Sequence, residues 1–153
     1  MSERDEAVVR RLWQAMNGRE VGAFDEIVSP TFRNHNPFSP PVSGPDNFRL
    51  ALKGLTRGFP DVHYDVERVI SRDGEVWAMV WMSGTHRGEF MGLQPNGRAF
   101  RSPHVWIYRL ENGLIEESWA VMDDLGSMVQ LGHIAPLTPG RVADPASAEH
   151  ARA

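Results

Sequence analysis

The stretch "DVHYDVERVISRDGEVWAMVWMSGTHRGEF", residues 61–90, decides the fold class. It contains two runs rich in Val, Ile, Trp and Met, separated by Arg-Asp-Gly at 72–74. Asp-Gly between two β-rich runs is a strong hairpin signal, because the tight turn needs residues that accept a positive φ. The stretch therefore predicts two long antiparallel strands joined by a short turn.

The same pattern recurs downstream. "RAFRSPHVWIYRL" at 98–110 and "LIEESWAVMDD" at 114–124 are two further β-rich runs, and Glu-Asn-Gly at 111–113 separates them. A second hairpin is the natural interpretation. The second half of the chain is therefore predicted to be a meander of four long strands.

The N-terminal third has a helical pattern. In "ERDEAVVRRLWQAMNG", residues 3–18, apolar side chains recur at helical spacing, and shorter helices fit "VGAFDEIVS" at 21–29 and "GPDNFRLALKGLTRGF" at 44–59. Between the last two, "TFRNHNPFSPPVSG" at 31–44 suggests a short strand running into a loop. Helices followed by strands indicate an α+β fold. We expect N-terminal helices packed on a strongly curved antiparallel sheet that encloses a pocket, because long strands twist and curl.

Length and charge narrow the possible partners. A chain of 153 residues forms one domain, which we expect at 1–132, followed by a flexible Pro- and Ala-rich tail at 133–153. The net charge of -4 gives no basic footprint for nucleic acid, and no apolar run is long enough to span a membrane. The charged N-terminus lacks the apolar core of a secretion signal, so a cytoplasmic location is expected.

The glycine-rich stretch "GTHRGEFMGLQPNGR", residues 84–98, could suggest a phosphate-binding loop. It lacks the Lys and the Ser or Thr that end a Walker loop, and it does not match Gly-x-Gly-x-x-Gly. Its glycines are better explained as backbone requirements of a bend and a Pro-Asn-Gly turn. The histidine within it, His86, is a candidate residue at the rim of a site.

No metal or organic cofactor is predicted. The six histidines form neither an HxH pair nor an HExxH motif, and there is no cysteine. Acid–base chemistry is what the remaining side chains can offer. Five Trp and seven Met suit a pocket for a flat apolar ligand, although such residues also fill ordinary cores.

Strand alternation groups the candidate residues by face. In the last strand it places Glu117, Trp119, Val121 and Asp123 together. If this face points into the pocket, burial would raise the pKa of Asp123 and make it a suitable acid and base. The alternative is that Asp123 caps the following helix, as Asp often does. Both interpretations stay open at this point.

The preceding strand carries a second candidate group. His104, Trp106 and Tyr108 share one face, and Arg109 belongs to the other. His104 could polarise a substrate carbonyl, or it could be a hydrogen-bonded structural histidine. Alternation alone does not say which face is inward. His35 lies in loop-like sequence, where ligand contacts are common.

Four segments together carry a family resemblance. They are "VVRRLWQAMNG", "FRNHNP", "GTHRGEFMGLQPNGR" and "GLIEESWAVMDDLG", in this order between about Ala7 and Leu131. In this combination the chain resembles the SnoaL-like polyketide cyclases, also called ester cyclases. The resemblance implies the cone-shaped α+β barrel of the nuclear transport factor 2 superfamily and a homodimer.

The resemblance also implies an activity. Cyclases of this family close a ring in an apolar, carbonyl-bearing polyketide by intramolecular aldol condensation without a cofactor, using an aspartate near the end of the last long strand. By its place in the motif that residue is Asp123. The family's assisting histidine corresponds to His104, although the spacing also fits Arg109.

Several residues are predicted to line or orient the substrate: His35, His86, Trp106, Tyr108, Arg109, Glu117 and Trp119. The family also contains hydroxylases, epoxide hydrolases and dehydratases, and fold alone does not select among them. A related hydrolase, hydroxylase or dehydratase therefore remains an alternative. A non-catalytic module that binds a small molecule or dimerises is the third possibility.

Overall fold

The computed structural model describes residues 2–136 and 138, and it has the predicted α+β architecture. These residues form four helices and five strands. In chain order they are α1 (Ser2–Gly18), a 3-10 turn (Val21–Ala23), α2 (Phe24–Ile27), β1 (Val28–Asn34), α3 (Asp46–Gly58), β2 (His63–Arg72), β3 (Glu75–Thr85), β4 (Ala99–Glu111), β5 (Leu114–Met122) and α4 (Asp124–Gln130). No helix in these ranges is long and apolar enough to cross a membrane.

The strands form one sheet in the order β1-β5-β4-β3-β2. The predicted meander of β2 to β5 is confirmed, because each of these strands pairs antiparallel with the next. The expectation of a wholly antiparallel sheet is wrong, since β1 pairs parallel with β5. These two strands are joined through α3 and the whole meander, and so long a connection allows a parallel pair.

The two edges of the sheet, β1 and β2, do not pair with each other, so the sheet is open. The strongly curved form that encloses a pocket stays a prediction. Most of the predicted tail at 133–153 lies outside the described residues, and the boundary at 132 stays a prediction as well.

Both predicted hairpin turns are present. Asp73 and Gly74 have φ values of 52° and 80°, and Asn112 and Gly113 have φ values of 52° and 77°. Two consecutive positive φ values are typical of a type I′ turn, whose twist matches that of the strands it joins. The Asp-Gly and Asn-Gly pairs therefore set the register of β2 with β3 and of β4 with β5.

Helix α1 covers one face of the sheet, which we call the inner face. Trp13 is 2% exposed, and its ring centroid lies 4.9 Å from that of Tyr64 on β2 and 5.7 Å from that of Trp106 on β4. Phe48 of α3 extends this core, with ring centroids 5.0–5.6 Å from those of two other buried phenylalanines. The opposite side of the sheet is called the outer face below.

The second helix is shorter than its pattern predicted. The apolar run suggested a helix to Ser29, but the chain is already extended at Val28, which pairs with Ile115 of β5. Pairing with an existing sheet edge satisfies the backbone of these residues.

The glycine-rich stretch after β3 packs closely on the end of α3. The N–H groups of Arg87 and Gly88 donate to the carbonyl of Gly58 at 2.9 and 3.1 Å. A Cβ at position 88 would lie 2.0 Å from the carbonyl oxygen of Arg57. Gly88 is therefore required because backbone approaches backbone here, in agreement with a conformational role for these glycines.

This contact predicts the effect of two alanine substitutions. Gly88→Ala should lower the free energy of unfolding by about 2 kcal/mol, because the clash forces backbone to move. Gly54→Ala is the matched control: a Cβ there meets nothing within 4 Å. It lies in the interior of α3, so the change should raise the free energy of unfolding by about 0.5–1 kcal/mol. Urea denaturation measures both, and a Gly88→Ala variant as stable as the wild type would contradict the close contact.

Candidate active site

The inner face of β4 brings one group of predicted residues together. His104 and Tyr108 are 4% and 0% exposed, and Trp106 lies between them and is partly buried. The side chains of Trp106 and Tyr108 point toward α1, where Trp13 lies 5.7 Å from Trp106 and 6.5 Å from Tyr108 between ring centroids. The predicted grouping of these three residues on one face is thus observed, and that face is the inner one.

A β-bulge in β5 determines which of its side chains lie on the inner face with His104, Trp106 and Tyr108. Arg109 of β4 is opposite Glu117, but the next residue, Leu110, is opposite Ile115. Between these two pairs β4 advances by one residue and β5 by two. The extra residue is a β-bulge in β5 that includes Glu116. Ile115 and Ser118 are three residues apart, so in a regular strand they would lie on opposite faces. Because of the bulge, both are fully buried.

Beyond the bulge, the predicted face of β5 points outward. Trp119 and Val121 are 37% and 72% exposed, while Ser118 is buried and lies opposite Tyr108. Glu117 and Trp119 therefore do not share a face with His104. In a strand without a bulge, Glu117 and Trp119 would lie on the same face as the buried Ile115 and would point inward. Alternation alone therefore could not decide which face of β5 is the inner one.

His104 is held by a chain of hydroxyl groups. Ser127 of α4 donates from Oγ to Oγ of Ser102 at 2.7 Å, and Ser102 Oγ lies 3.4 Å from His104 Nε2. When Ser102 donates onward, Nε2 is the acceptor and Nδ1 carries the proton. Nδ1 is buried and has no hydrogen-bond partner among the described residues.

The environment of His104 keeps its ring neutral. Burial lowers its pKa from 6.5 to about 4, and the charge of Asp123 acts in the opposite direction. His104 is therefore an uncharged ring near neutral pH, and when Ser102 donates to Nε2 the ring has one free N–H, at Nδ1. Such a group can donate a hydrogen bond to a carbonyl oxygen without releasing its own proton.

Asp123 follows the last residue of β5 and is exposed. Its Oδ1 accepts from the Gly126 N–H at 2.9 Å, so it caps α4, and its own N–H donates to the Pro103 carbonyl at 3.3 Å. Its other oxygen, Oδ2, accepts no hydrogen bond from the described residues. A Cβ at position 126 would lie 2.1 Å from Oδ2, so the glycine leaves room for the carboxylate. The capping interpretation is observed, and one carboxylate oxygen remains available.

A second group of predicted residues gathers on the outer face. Glu117 accepts from Arg109 Nε at 2.6 Å and lies 3.1 Å from His35 Nε2 and 3.4 Å from an Arg33 nitrogen. The His35 ring stacks on Trp119 at 4.8 Å between centroids. The hydrogen bonds from Arg109 and then from His35 lower the pKa of Glu117. This ion-pair cluster joins the end of β1 to β5 and β4.

His86 lies apart from both groups. It is 1% exposed, its Nδ1 is 3.2 Å from His133 Nε2, and its ring packs 5.2 Å from that of Phe59. Its place is the loop after β3, beside the C-terminal end of α3. Its predicted role in substrate binding stays a prediction.

Sequence reasoning missed four residues of the inner site: Trp13, Ser102, Ser118 and Ser127. Trp13 was visible only as part of the apolar stripe of α1, where tryptophan is usually core. Ser102 lies two positions before His104 and so on the same face, which was an available signal. Ser118 could not be found, because the bulge reverses the alternation.

In the described part of the chain, neither a group of metal ligands nor either of the two depressions described below lies at the predicted site. Among the described residues, no group of three or more His, Asp or Glu side chains is placed to hold a metal ion. Two depressions of about 340 Å³ each lie on the outside of the helices, one beside Arg49 and Lys53 and one along α1. Neither is lined by a predicted site residue. The absence of a cofactor and the enclosed pocket both remain predictions.

Comparison with known proteins identifies the family. The model of the SnoaL-like polyketide cyclases matches residues 6–131. The chain therefore belongs to the SnoaL-like polyketide cyclase family. This confirms the resemblance inferred from the sequence motifs.

Individual relatives agree with this assignment. The chain is 29% identical over 140 residues to aklanonic acid methyl ester cyclase DauD of Streptomyces sp. (strain C5), covering 87% of this chain and 84% of the relative. It is 26% identical over 140 residues to DnrD of Streptomyces peucetius, a cyclase of the same name, covering 87% and 94%. TsrD from Streptomyces laurentii has the same fold, with a TM-score of 0.78 at 23% identity over 86% of this chain and 97% of that one.

The low pKa of His104 predicts a pH-dependent stability. As the pH falls through 6.5 the unfolded chain takes up a proton at this residue, whereas the folded protein does so only near pH 4. The free energy of unfolding should therefore fall by up to about 3 kcal/mol as the pH is lowered between these values, at about 1.4 kcal/mol per unit of the His104 pKa shift. Denaturation at pH 7 and pH 4.5 measures the loss, which His104→Gln should reduce.

The matched control is His63→Gln, at a histidine whose side chain is 54% exposed. The loss of stability between pH 7 and pH 4.5 should persist in this variant, because His104 is still present. If His104→Gln also leaves it unchanged, His104 is not held neutral by burial.

Proposed function

We propose that this protein is a cofactor-independent cyclase that closes a ring in an apolar, carbonyl-bearing polyketide by intramolecular aldol condensation. The observation that carries the proposal is the neutral, buried His104 with a free Nδ1, close enough to feel the charge of Asp123. Asp123 follows Met122, which lies opposite His104 in the pairing of β4 with β5, and a hydrogen-bond donor together with a carboxylate base is what an aldol reaction requires. Membership of the cyclase family supports the same chemistry.

The steps can be assigned to named atoms. Oδ2 of Asp123 removes a proton from a carbon flanked by two carbonyl groups, and the resulting enolate carbon attacks a ketone carbon of the same molecule. A carbon–carbon bond forms, and the electron pair of the ketone C=O moves to its oxygen. The protonated Asp123 then returns the proton to this alkoxide. His104 donates from Nδ1 to a carbonyl oxygen and remains neutral throughout.

The relatives and the inner face both support a proposal for the substrate class. DauD and DnrD are named for aklanonic acid methyl ester. For this chain we propose a substrate of the same kind, a planar polyketide ester. It would bind between α1 and the sheet, where Trp13, Trp106 and Tyr108 offer aromatic surfaces. Binding there needs the pocket that the sequence predicts, with an entrance beside the partly exposed Trp106.

Asp123→Asn tests the acid–base role without removing the helix cap, because Asn is as good an N-cap as Asp. With aklanonic acid methyl ester as substrate, kcat/KM should fall by about 10²–10⁴, the usual contribution of a general acid or base. Product formation followed by absorbance or chromatography measures it. The control is Asp124→Asn, one position along, which should stay within a few-fold of the wild type. Full turnover by Asp123→Asn would exclude the proposed mechanism.

We further propose that a second copy of the chain covers the outer face. Four large apolar side chains there are exposed: Ile70, Trp77, Trp119 and Val121, at 56%, 45%, 37% and 72%. They lie on β2, β3 and β5 on the side away from α1. An apolar surface that extends across several strands is typical of a subunit interface.

Light scattering after gel filtration tests the dimer. The wild type should have twice the 17.2 kDa mass of one chain, and the double variant Trp77→Ser, Val121→Asp should be a monomer. Leu50→Asp is the control, since Leu50 is similarly exposed at 44% but lies on α3, away from the outer face. A wild type that runs as a monomer at micromolar concentration would contradict this proposal.

A further inference from the structure

The hydroxyl group of Ser127 on α4 has two acceptors within reach. Its Oγ lies 2.7 Å from Ser102 Oγ and 3.1 Å from the main-chain carbonyl oxygen of Asp123. A hydroxyl group carries one proton, so it donates to one acceptor at a time. The direction described above, in which Ser127 donates to Ser102, is therefore one of two that the positions of these atoms allow.

Helix α4 is held in place for these contacts by its last side chain. Gln130 accepts from the Arg101 N–H at 2.7 Å and donates to the Arg101 carbonyl at 3.0 Å. Ser127 lies three residues before Gln130 and so on the same side of the helix, while Ser102 follows Arg101 on β4. This pair of bonds fixes Ser127 against Ser102. Both serines and His104 are buried, so bulk water does not compete for their hydrogen bonds.

The two directions of the hydroxyl chain differ in the number of hydrogen bonds. In the first, Ser127 donates to Ser102 and Ser102 donates to His104 Nε2, which makes two bonds. In the second, His104 donates from Nε2 to Ser102, which in turn donates to Ser127. Ser127 then donates to the Asp123 carbonyl, which makes three. This carbonyl oxygen also accepts the Ser127 N–H at 3.1 Å, and its two lone pairs accommodate both donors.

The direction of the chain decides what Nδ1 of His104 presents. Burial lowers the pKa of His104 to about 4, so the ring carries a single proton near neutral pH. In the three-bond direction this proton is on Nε2. Nδ1, which has no partner in the part of the chain that the structure describes, is then a bare acceptor. In the two-bond direction Nδ1 carries the proton and is a donor. One additional hydrogen bond favours the three-bond direction by up to about tenfold.

We propose that Ser127 is a positioning residue that holds the ring proton of His104 on Nε2 in the ligand-free protein by donating to the Asp123 carbonyl. When a carbonyl oxygen binds at Nδ1, the Ser127 hydroxyl turns to Ser102 and the ring proton is on Nδ1, because the new bond there replaces the one that is given up. This deepens the proposed function and rests on it for the oxygen atom that Nδ1 meets. Helix α4 thereby connects the two proposed catalytic groups, Asp123 and His104.

Nitrogen-15 NMR of the ligand-free protein, labelled in histidine, tests the inference at pH 7. The two ring nitrogens of a neutral imidazole have different shifts according to which one carries the proton. The signals of His104 are those that are absent from His104→Gln. They should show the Nε2–H form in about tenfold excess over the Nδ1–H form. A ring proton on Nδ1 in the ligand-free protein would overturn the inference.

Two serine variants interrupt the hydroxyl chain. Ser127→Ala removes the bond to the Asp123 carbonyl, so the ratio of the two forms should shift about three- to tenfold toward Nδ1–H. Ser102→Ala breaks the same chain from β4 and should shift the ratio in the same direction. Thr56→Val is the matched control, because Thr56 on α3 also donates from its hydroxyl to a carbonyl four residues earlier, that of Leu52 at 2.8 Å. It should leave the ratio unchanged.

An unchanged ratio in Ser127→Ala would show that the hydroxyl group does not hold the proton on Nε2, and would overturn the inference. A shift of the same size in Thr56→Val would overturn it as well. These measurements need neither substrate nor turnover. If aklanonic acid methyl ester is not cyclised but the predicted ratios are observed, the proposed function fails and the effect of Ser127 on the ring stands. If cyclisation occurs and the ratios are not observed, only this inference fails.

Discussion

The bulge at Glu116 is the constraint on which the candidate site depends. It is fixed from the neighbouring strand, where Thr31 of β1 donates from Oγ1 to Glu116 at 2.5 Å. Hydrogen bonds from Ser29 and Thr31 lower the pKa of this carboxyl group, so it stays charged. Since the bulge adds one residue to β5, every side chain after it changes face. Ser118 is thereby turned toward α1, while Glu117 and Trp119 are turned away.

The two faces consequently have different chemistry. The inner face holds neutral groups: hydroxyls, indoles and a histidine whose pKa is about 4. The outer face holds the charged cluster of Glu117 with Arg109 and His35, and a broad apolar surface. A neutral interior with hydrogen-bond donors suits a reaction in which negative charge passes from the carboxylate to the enolate and then to the alkoxide. The proposed base, Asp123, lies where β5 ends, with one oxygen committed to α4 and the other available.

Much of the fold could be predicted from the sequence, because local signals determined it. The Asp-Gly and Asn-Gly pairs predicted both hairpins, and the apolar stripe of α1 predicted its buried face. The direction of β1 could not be predicted, since its partner lies more than eighty residues away and no turn connects the two. The site was predicted in part. His104, Trp106 and Tyr108 were correctly grouped, whereas the inward side of β5 depends on a bulge that the alternation of apolar residues does not reveal.

The central claim is that the substrate binds between α1 and the inner face of β4, beside His104. A crystal structure with aklanonic acid methyl ester bound to the Asp123→Asn variant tests it most directly. The account predicts density for the ligand between Trp13 and Trp106, with an oxygen atom within hydrogen-bond distance of His104 Nδ1. Density over Trp119 on the outer face, with the inner face unchanged, would contradict it.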